Sequence, residues 1–208
     1  MKTETPPDTR SLILLRAADL FYGEGIRAIS MDRIAEAVGV TKKTLYYHFR
    51  SKDDLIEAYL VARDGPNLAA FARWYDKAEG QAPDRIAALF QGLARQAKSP
   101  RWRGCGFLRT AAELANMPGH PAVKAGAAHK KKLEAWLART LDAEGACEPQ
   151  LLARQVALLI EGLFSTLLFH RDPAYAEAAA NAARVLVAQA LQRNIGTPSA
   201  DLPVSTNP

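Results

Sequence analysis

Residues 31–50 read Met-Asp-Arg-Ile-Ala-Glu-Ala-Val-Gly-Val-Thr-Lys-Lys-Thr-Leu-Tyr-Tyr-His-Phe-Arg, and this stretch decides the fold. Ser30, just before it, can cap a short helix with Ile34, Ala35 and Val38 inward. Gly39 supplies the positive φ that a tight turn needs. Thr41 caps a second short helix that runs to about Phe49. A helix-turn-helix needs a small residue where its helices cross, and Ala35 is there. It needs inward apolar residues, and Ile34, Val38, Val40 and Leu45 fill those places. Left on the outer face are Lys42, Lys43, Thr44, Tyr46, Tyr47 and His48. Such donors, hydroxyls and flat rings are the groups that meet base edges and phosphates in a major groove. A hairpin serving only as core would explain Leu45 and Phe49 but not that outer face.

Working outward, Thr9 is a cap candidate for a first helix striped by Ile13, Leu14, Ala17, Leu20 and Phe21, which Gly23 and Gly25 end, Gly25 as a left-handed cap. Ser51 caps a fourth helix, broken or ended near Gly65-Pro66. Breakers at 80–83, 99–106, 117–121, 145–149 and 172–173 delimit further helices, the longest over about 149–171 and 174–193. No period-two alternation is evident. The expectation is an all-α chain: a flexible amino end (1–8), a three-helix helix-turn-helix DNA-binding domain (9–55), a larger helical regulatory and dimerisation bundle (56–195) and a disordered tail (196–208).

Composition fits this reading. The chain has 208 residues, 49% apolar and 24% charged, with a formal net charge of +5, ordinary for a globular protein. Residues 1–60 balance nine Lys/Arg against nine Asp/Glu, yet Ala37 to Lys52 carries Lys42, Lys43, Arg50 and Lys52 with no acid. A basic stripe on a neutral background points to directed phosphate contact. Two cysteines, Cys105 and Cys147, make no disulfide framework. The amino end has no secretory apolar region, and the apolar stretch Val156 to Phe169 reads as too short to span a bilayer. No paired carboxylates, nucleophile–base set or metal spacing is present, so neither enzyme activity, cofactor nor metal is expected. The chain reads as cytoplasmic, without membrane contact.

The resemblance extends beyond the generic motif. Ile13-Leu14, Ala17, Leu20-Phe21 and Gly25, then Ser30-Met31, Ile34-Ala35, Ala37 and Gly39 through Phe49, then Ser51-Lys52-Asp53-Asp54-Leu55, resemble the amino-terminal domain of TetR/AcrR-type transcription regulators. One departure is Lys43, where many members carry Gly. By that resemblance Thr44, Tyr46 and Lys52 contact phosphates, while Lys42, Lys43, Tyr47 and His48 face bases. Ser30 and Thr41 sit at helix amino ends, where free N–H groups favour a phosphate. The resemblance also implies a carboxy-terminal bundle that binds a ligand and dimerises. The segment Gly104-Cys105-Gly106-Phe107-Leu108, Ala111-Ala112-Glu113 and His120-Pro121-Ala122 resembles a subset of these regulators.

For an effector pocket in the bundle the candidates are Phe71, Trp74, Phe90, Trp102, Cys105, Phe107, Leu108, Met117, Trp136 and Phe164, though plain core is the simpler account of any single aromatic. Arg85, Arg95, Lys98, Arg101, Arg103 and Arg109, with no acid among them, make an anionic ligand conceivable; exposed stems laid on the surface are the simpler account. Cys105, between two glycines and near Arg101 and Arg103, is either an electrophile sensor or a small buried hydrophobe. For a dimer interface the candidates are Leu152, Val156, Leu159, Gly162, Leu163, Thr166, Ala178, Ala182, Val185 and Leu186, or these residues are buried within one chain. One short recognition helix gives few base contacts, which favours two half-sites and a two-fold dimer. The reading is a ligand-released repressor, a homodimer on a near-palindromic operator in double-stranded DNA, with an unidentified small-molecule effector. The alternative is a constitutive, architectural DNA-binding dimer without an effector.

Overall fold

A computed structural model describes residues 8–195. Within them the chain forms nine α-helices and no strand: α1 (Thr9–Glu24), α2 (Met31–Val38), α3 (Lys42–His48), α4 (Lys52–Asp76), α5 (Ala82–Ala97), α6 (Gly106–Glu113), α7 (Pro121–Ala143), α8 (Pro149–Phe169) and α9 (Pro173–Ile195). The expected flexible end and disordered tail lie outside the described residues, save Asp8.

Local chemistry explains the start of most helices. Ser30 Oγ accepts from Arg33 N, Thr41 Oγ1 from Thr44 N and Ser51 Oγ from Asp54 N, at 3.1, 3.1 and 3.0 Å. Each hydroxyl satisfies an amide that the helix itself cannot. Gly39 closes α2 in the left-handed conformation, φ +77° and ψ 31°. Two expectations change. Asp8, not Thr9, caps α1, its carboxylate accepting from Ser11 N at 2.7 Å. Gly25 has φ +95° but ψ 155°, so it has positive φ without being a left-handed cap. There a Cβ would lie 3.0 Å from the Glu113 carboxylate.

A third correction matters more. α4 does not stop at Gly65-Pro66 but runs unbroken through Pro66. Ala62, Gly65 and Pro66 are all exposed, so the carbonyl that loses its amide partner at Pro66 faces water, which can replace it. α4 therefore joins the two halves of the molecule. Leu55, Ile56, Tyr59 and Leu60 at its start are buried, as are Ala70, Phe71 and Tyr75 near its end. Its first part packs with α1 and its remainder with α5 and α7.

Ile13, Ala17, Phe21, Ile34, Ala35, Leu45 and Phe49 make the small core under α1–α3, continuous through α4 with the bundle core. In the bundle α5 packs on α9, α7 on α8 and α8 on α9. The stretch Val156–Phe169 belongs to a helix of 21 residues, which by length and composition could cross a membrane. Length therefore does not exclude a span as the sequence reading held. Here Leu152, Ala153, Val156, Ile160, Leu163 and Leu167 turn the apolar side of α8 into the protein core.

Candidate nucleic-acid interface and effector cavity

α3 presents two unlike faces. Leu45 is fully buried and Phe49, just beyond the helix, nearly so. On the other side Thr41, Lys42, Lys43, Tyr46 and Tyr47 are exposed, Tyr47 by 84%, with Thr44 and His48 half-buried. So large an exposed ring on a seven-residue helix has no folding role. Tyr47 meets only the edge of the His48 ring, at 5.1 Å. Lys42 Nζ is paired with Asp32 Oδ1 at 2.8 Å, and that hydrogen bond raises its pKa above the ordinary lysine value. Thr41 and Thr44 share a hydroxyl hydrogen bond of 2.8 Å. Ser30 stands exposed at the start of α2. Lys52 opens α4 half-buried, and burial lowers its pKa despite the carboxylates of Asp53 and Glu113.

The bundle holds two adjoining cavities. The inner one, about 60 Å³, is walled by α1, α4, α5, the α5–α6 connection, α7 and α8. Of the pocket candidates, Phe71, Trp74, Trp102, Cys105 and Phe164 line it. The outer one, about 360 Å³ and mostly apolar, opens between α6, α7 and α8 and takes Phe107 and Leu108. Phe107 packs edgewise on neither neighbour but flat on His129, ring centroids 3.8 Å apart. Lys130 and Leu133 border both cavities.

Three candidates line neither. Phe90 is fully buried core, Met117 is 45% exposed on the α6–α7 connection, and Trp136 packs edge-on against Tyr75. The arginine run is also elsewhere. Arg85 pairs with Glu144, Arg103 donates to the Pro100 and Trp102 carbonyls, and Arg109 to the Tyr22 carbonyl. The basic groups at the inner cavity are instead Arg63, His129 and Lys130, with Asn67 and Gln96 beside them. Lys130 Nζ lies 2.5 Å from Glu161 and 3.3 Å from Cys105 Sγ. His129 donates through Nδ1 to Asp64 Oδ1 at 2.8 Å. Burial lowers the His129 pKa against the pull of Asp64. Burial also pushes Asp64 up, but the hydrogen bonds from Lys132 and His129 outweigh it and hold that carboxyl below its ordinary value. Among the described residues no three His, Cys, Asp or Glu side chains gather as a metal site.

Of the interface candidates, Leu152, Val156 and Leu163 are buried within the chain, so they are unavailable to a second copy. Gly162, Ala178, Ala182 and Val185 are exposed, with Leu159, Thr166 and Leu186 half-buried. Leu151 and Phe169, 47% and 81% exposed, lie on the same open side of α8.

Contacts that the sequence did not reveal tie the cavity wall to the helix-turn-helix. The Glu113 carboxylate, at the end of α6, accepts from Ile26 N and Arg27 N at 3.2 and 2.9 Å. Arg27 reaches Asn116 Oδ1 at 3.0 Å. The Tyr22 hydroxyl donates to Gly104 O at 3.1 Å and accepts from Arg103 N at 2.9 Å. His120 caps α7 by accepting from Ala122 N at Nδ1. Its buried Nε2 lies 3.2 Å from Asp53 Oδ1 but lacks a well-aligned partner.

A buried-core helical hairpin presenting an exposed, basic and aromatic second helix defines a helix-turn-helix protein with a helical bundle appended. Residues 13–59 match the profile of bacterial regulatory proteins of the tetR family. Escherichia coli UidR is 38% identical over 71 residues, 34% of this chain and 36% of that protein. Pseudomonas putida SrpR is 34% identical over 59 residues, 28% of each. The matched stretch thus spans only about a third of these curated relatives. Solved structures match more of the chain. A TetR-family transcriptional regulator from Streptomyces coelicolor superposes with a TM-score of 0.78 at 29% identity, covering 90% of this chain and 92% of that one. A tetR-type structure from Streptomyces avermitilis gives 0.72 at 29% identity, covering 85% and 98%. Residues 13–59 are therefore similar to the amino-terminal domain of the tetR family, and the chain as a whole shares the fold of TetR-family regulators.

Proposed function

We propose that this chain is a DNA-binding transcriptional regulator, a homodimeric repressor that a small molecule bound in the bundle releases from a near-palindromic operator, working in the cytoplasm. The observation that carries the reading is the outer face of α3, where Lys43, Tyr46 and Tyr47 stand free of the fold. Lys42, Lys43, Tyr47 and His48 face base edges; Thr44, Tyr46 and Lys52 take phosphates, with Ser30 and Thr41 at helix amino ends that favour an anion. SrpR and UidR, named as HTH-type transcriptional regulators, support the assignment.

Two copies are needed because seven helical residues contact few base pairs, and a two-fold pair reads two half-sites a helical turn apart. The open side of α8 and α9, with Gly162, Ala178, Ala182 and Val185, offers a smooth face for antiparallel packing of two helices on two. Release works as a two-state equilibrium. A ligand that prefers one setting of α6 moves Glu113 and the α5–α6 connection, and through the Ile26, Arg27 and Tyr22 contacts displaces the helix-turn-helix from groove register. A coupling of about 1–3 kcal/mol alters operator affinity roughly five- to 150-fold.

Selection from random-sequence duplexes with the purified full chain tests this reading. An enriched inverted repeat is expected. A pool that never converges, despite salt-sensitive retention, would leave only a non-specific binder.

A further inference from the structure

The inner cavity contains a cation, Arg63, that no carboxylate among the described residues pairs with. Arg63 lines the wall, its guanidinium carbon 4.7 Å from the Tyr22 ring centre and 5.7 Å from that of Tyr59. Both rings lie within cation–π reach of the guanidinium and offer its N–H groups no in-plane acceptor oxygen of a carboxylate. Its Nε is buried and has no acceptor. A buried donor without a partner costs free energy and calls for an explanation. The other cation, Lys130, is neutralised by Glu161. Among the described residues no carboxylate lines this cavity. Gly106 borders it too, where a Cβ would come within 3.6 Å of Arg63 Nε and 2.7 Å of the Tyr59 hydroxyl oxygen. α6 begins there without a side-chain cap. Phe71, Trp74, Trp102 and Phe164 add aromatic wall, and Asn67 and Gln96 are uncharged polar groups beside them.

We infer that the inner cavity is a site for a small organic monocarboxylate, its carboxylate taken by the Arg63 guanidinium and its apolar body by Phe71, Trp74 and Phe164. This rests on the bundle being the effector domain and names the chemistry of that effector. A planar guanidinium matches a carboxylate in geometry as well as in charge. The class is set by what lines the wall: one unpaired positive charge selects a monoanion, and the rings reject strongly hydrated inorganic ions. At about 60 Å³, the cavity has room for roughly four to six waters. An acid of that size fits as it stands. A larger one extends past Lys130 and Leu133 into the outer cavity, since both residues border the two cavities.

The test compares isovalerate and benzoate with their amides, with benzylamine and with inorganic phosphate. Calorimetric titration and thermal shift are read on the full-length protein. The acids should bind on the order of ten- to a hundredfold more tightly than the matched amides, because the charge-assisted hydrogen bond is lost in the amide. That preference should vanish in Arg63→Met. The wild-type comparison needs no variant, so it decides even if Arg63→Met does not fold. Equal binding of acid and amide, unchanged preference in a folded Arg63→Met, or no binding of either acid at millimolar concentration would overturn the inference. Operator binding without ligand, measured in parallel, separates the two claims. Intact DNA binding without acid binding refutes only the site. Acid binding that leaves DNA affinity unaltered keeps the site and refutes release.

Discussion

Replacing Glu113 by Ala removes one carboxylate that serves two backbone amides of the turn between α1 and α2. Both bonds, 3.2 Å to Ile26 N and 2.9 Å to Arg27 N, join the end of α6 to the helix-turn-helix. A hydrogen bond to a charged group contributes about 1.5–3 kcal/mol where water is excluded, and less in the open. Ile26 is buried and Arg27 exposed, so the pair together stabilises the closed turn by roughly 1–3 kcal/mol after that discount. Opening of the turn should then rise about five- to 150-fold. Hydrogen exchange reads this directly, because the two amides report their own opening free energy. Exchange at Ile26 and Arg27 should accelerate by that factor in Glu113→Ala, and by less in Glu113→Gln, which keeps one neutral acceptor. Amides in the middle of α8 should be unaffected. Unchanged protection at Ile26 and Arg27 would refute the idea that Glu113 clamps the turn, and with it the route by which α6 acts on α3.

Tyr47→Ala and Lys43→Ala should relax or abolish operator selectivity without lowering Tm, since both side chains are exposed; a marked loss of stability in either would contradict their place on the outer face. Gly39→Ala should cost roughly 1–2 kcal/mol because an L residue must adopt the left-handed conformation, while nothing lies within 4 Å of the new Cβ; Gly39→Asn should recover part of the lost Tm, and equal Tm values for Gly, Asn and Ala would show that the turn is unstrained. Burial depresses the His129 pKa, so its contribution is complete above the ordinary imidazole value of about 6.5 and is lost as pH falls toward the folded value. Tm should therefore drop as pH falls below about 6.5, and His129→Gln should flatten that drop; an identical slope would place the effect on other groups.

Local signals were legible in the sequence, and longer-range ones were not. Ser30, Gly39, Thr41 and Ser51 act within three or four residues of themselves, so their caps and turn follow from composition and spacing alone. Pro66 misleads for the opposite reason. Its cost depends on whether the freed carbonyl meets water, which only the packed molecule settles. Ending α4 there also hid a stripe: Arg63, Asn67, Ala70 and Trp74 recur at helical spacing and share the cavity wall. With the helix cut at Gly65-Pro66, Arg63 falls on no recognisable face, and the run from Arg85 to Arg109 stands out as the basic segment instead. Phe90 and Trp136 illustrate a second limit, because aromatic side chains fill cores and line cavities with the same chemistry. α8 illustrates a third. It is apolar on both its inner and its open side, so periodicity marks an apolar helix without separating Leu152, Val156 and Leu163, which face inward, from Leu151 and Gly162, which face out. The Glu113 clamp had no sequence signal, since its partners are backbone amides.

The central claim is sequence-specific binding of DNA by a two-fold pair of these chains. The most direct measurement is a footprint of both strands of a duplex carrying the selected site, at two salt concentrations, with the mass of the complex determined on the same sample. The account predicts dyad-symmetric protection over two half-sites about one helical turn apart, two chains per duplex, affinity that falls steeply with salt, and loss of the footprint in Tyr47→Ala. Uniform protection along the duplex, or one chain bound per site with Tyr47→Ala unaffected, would contradict it.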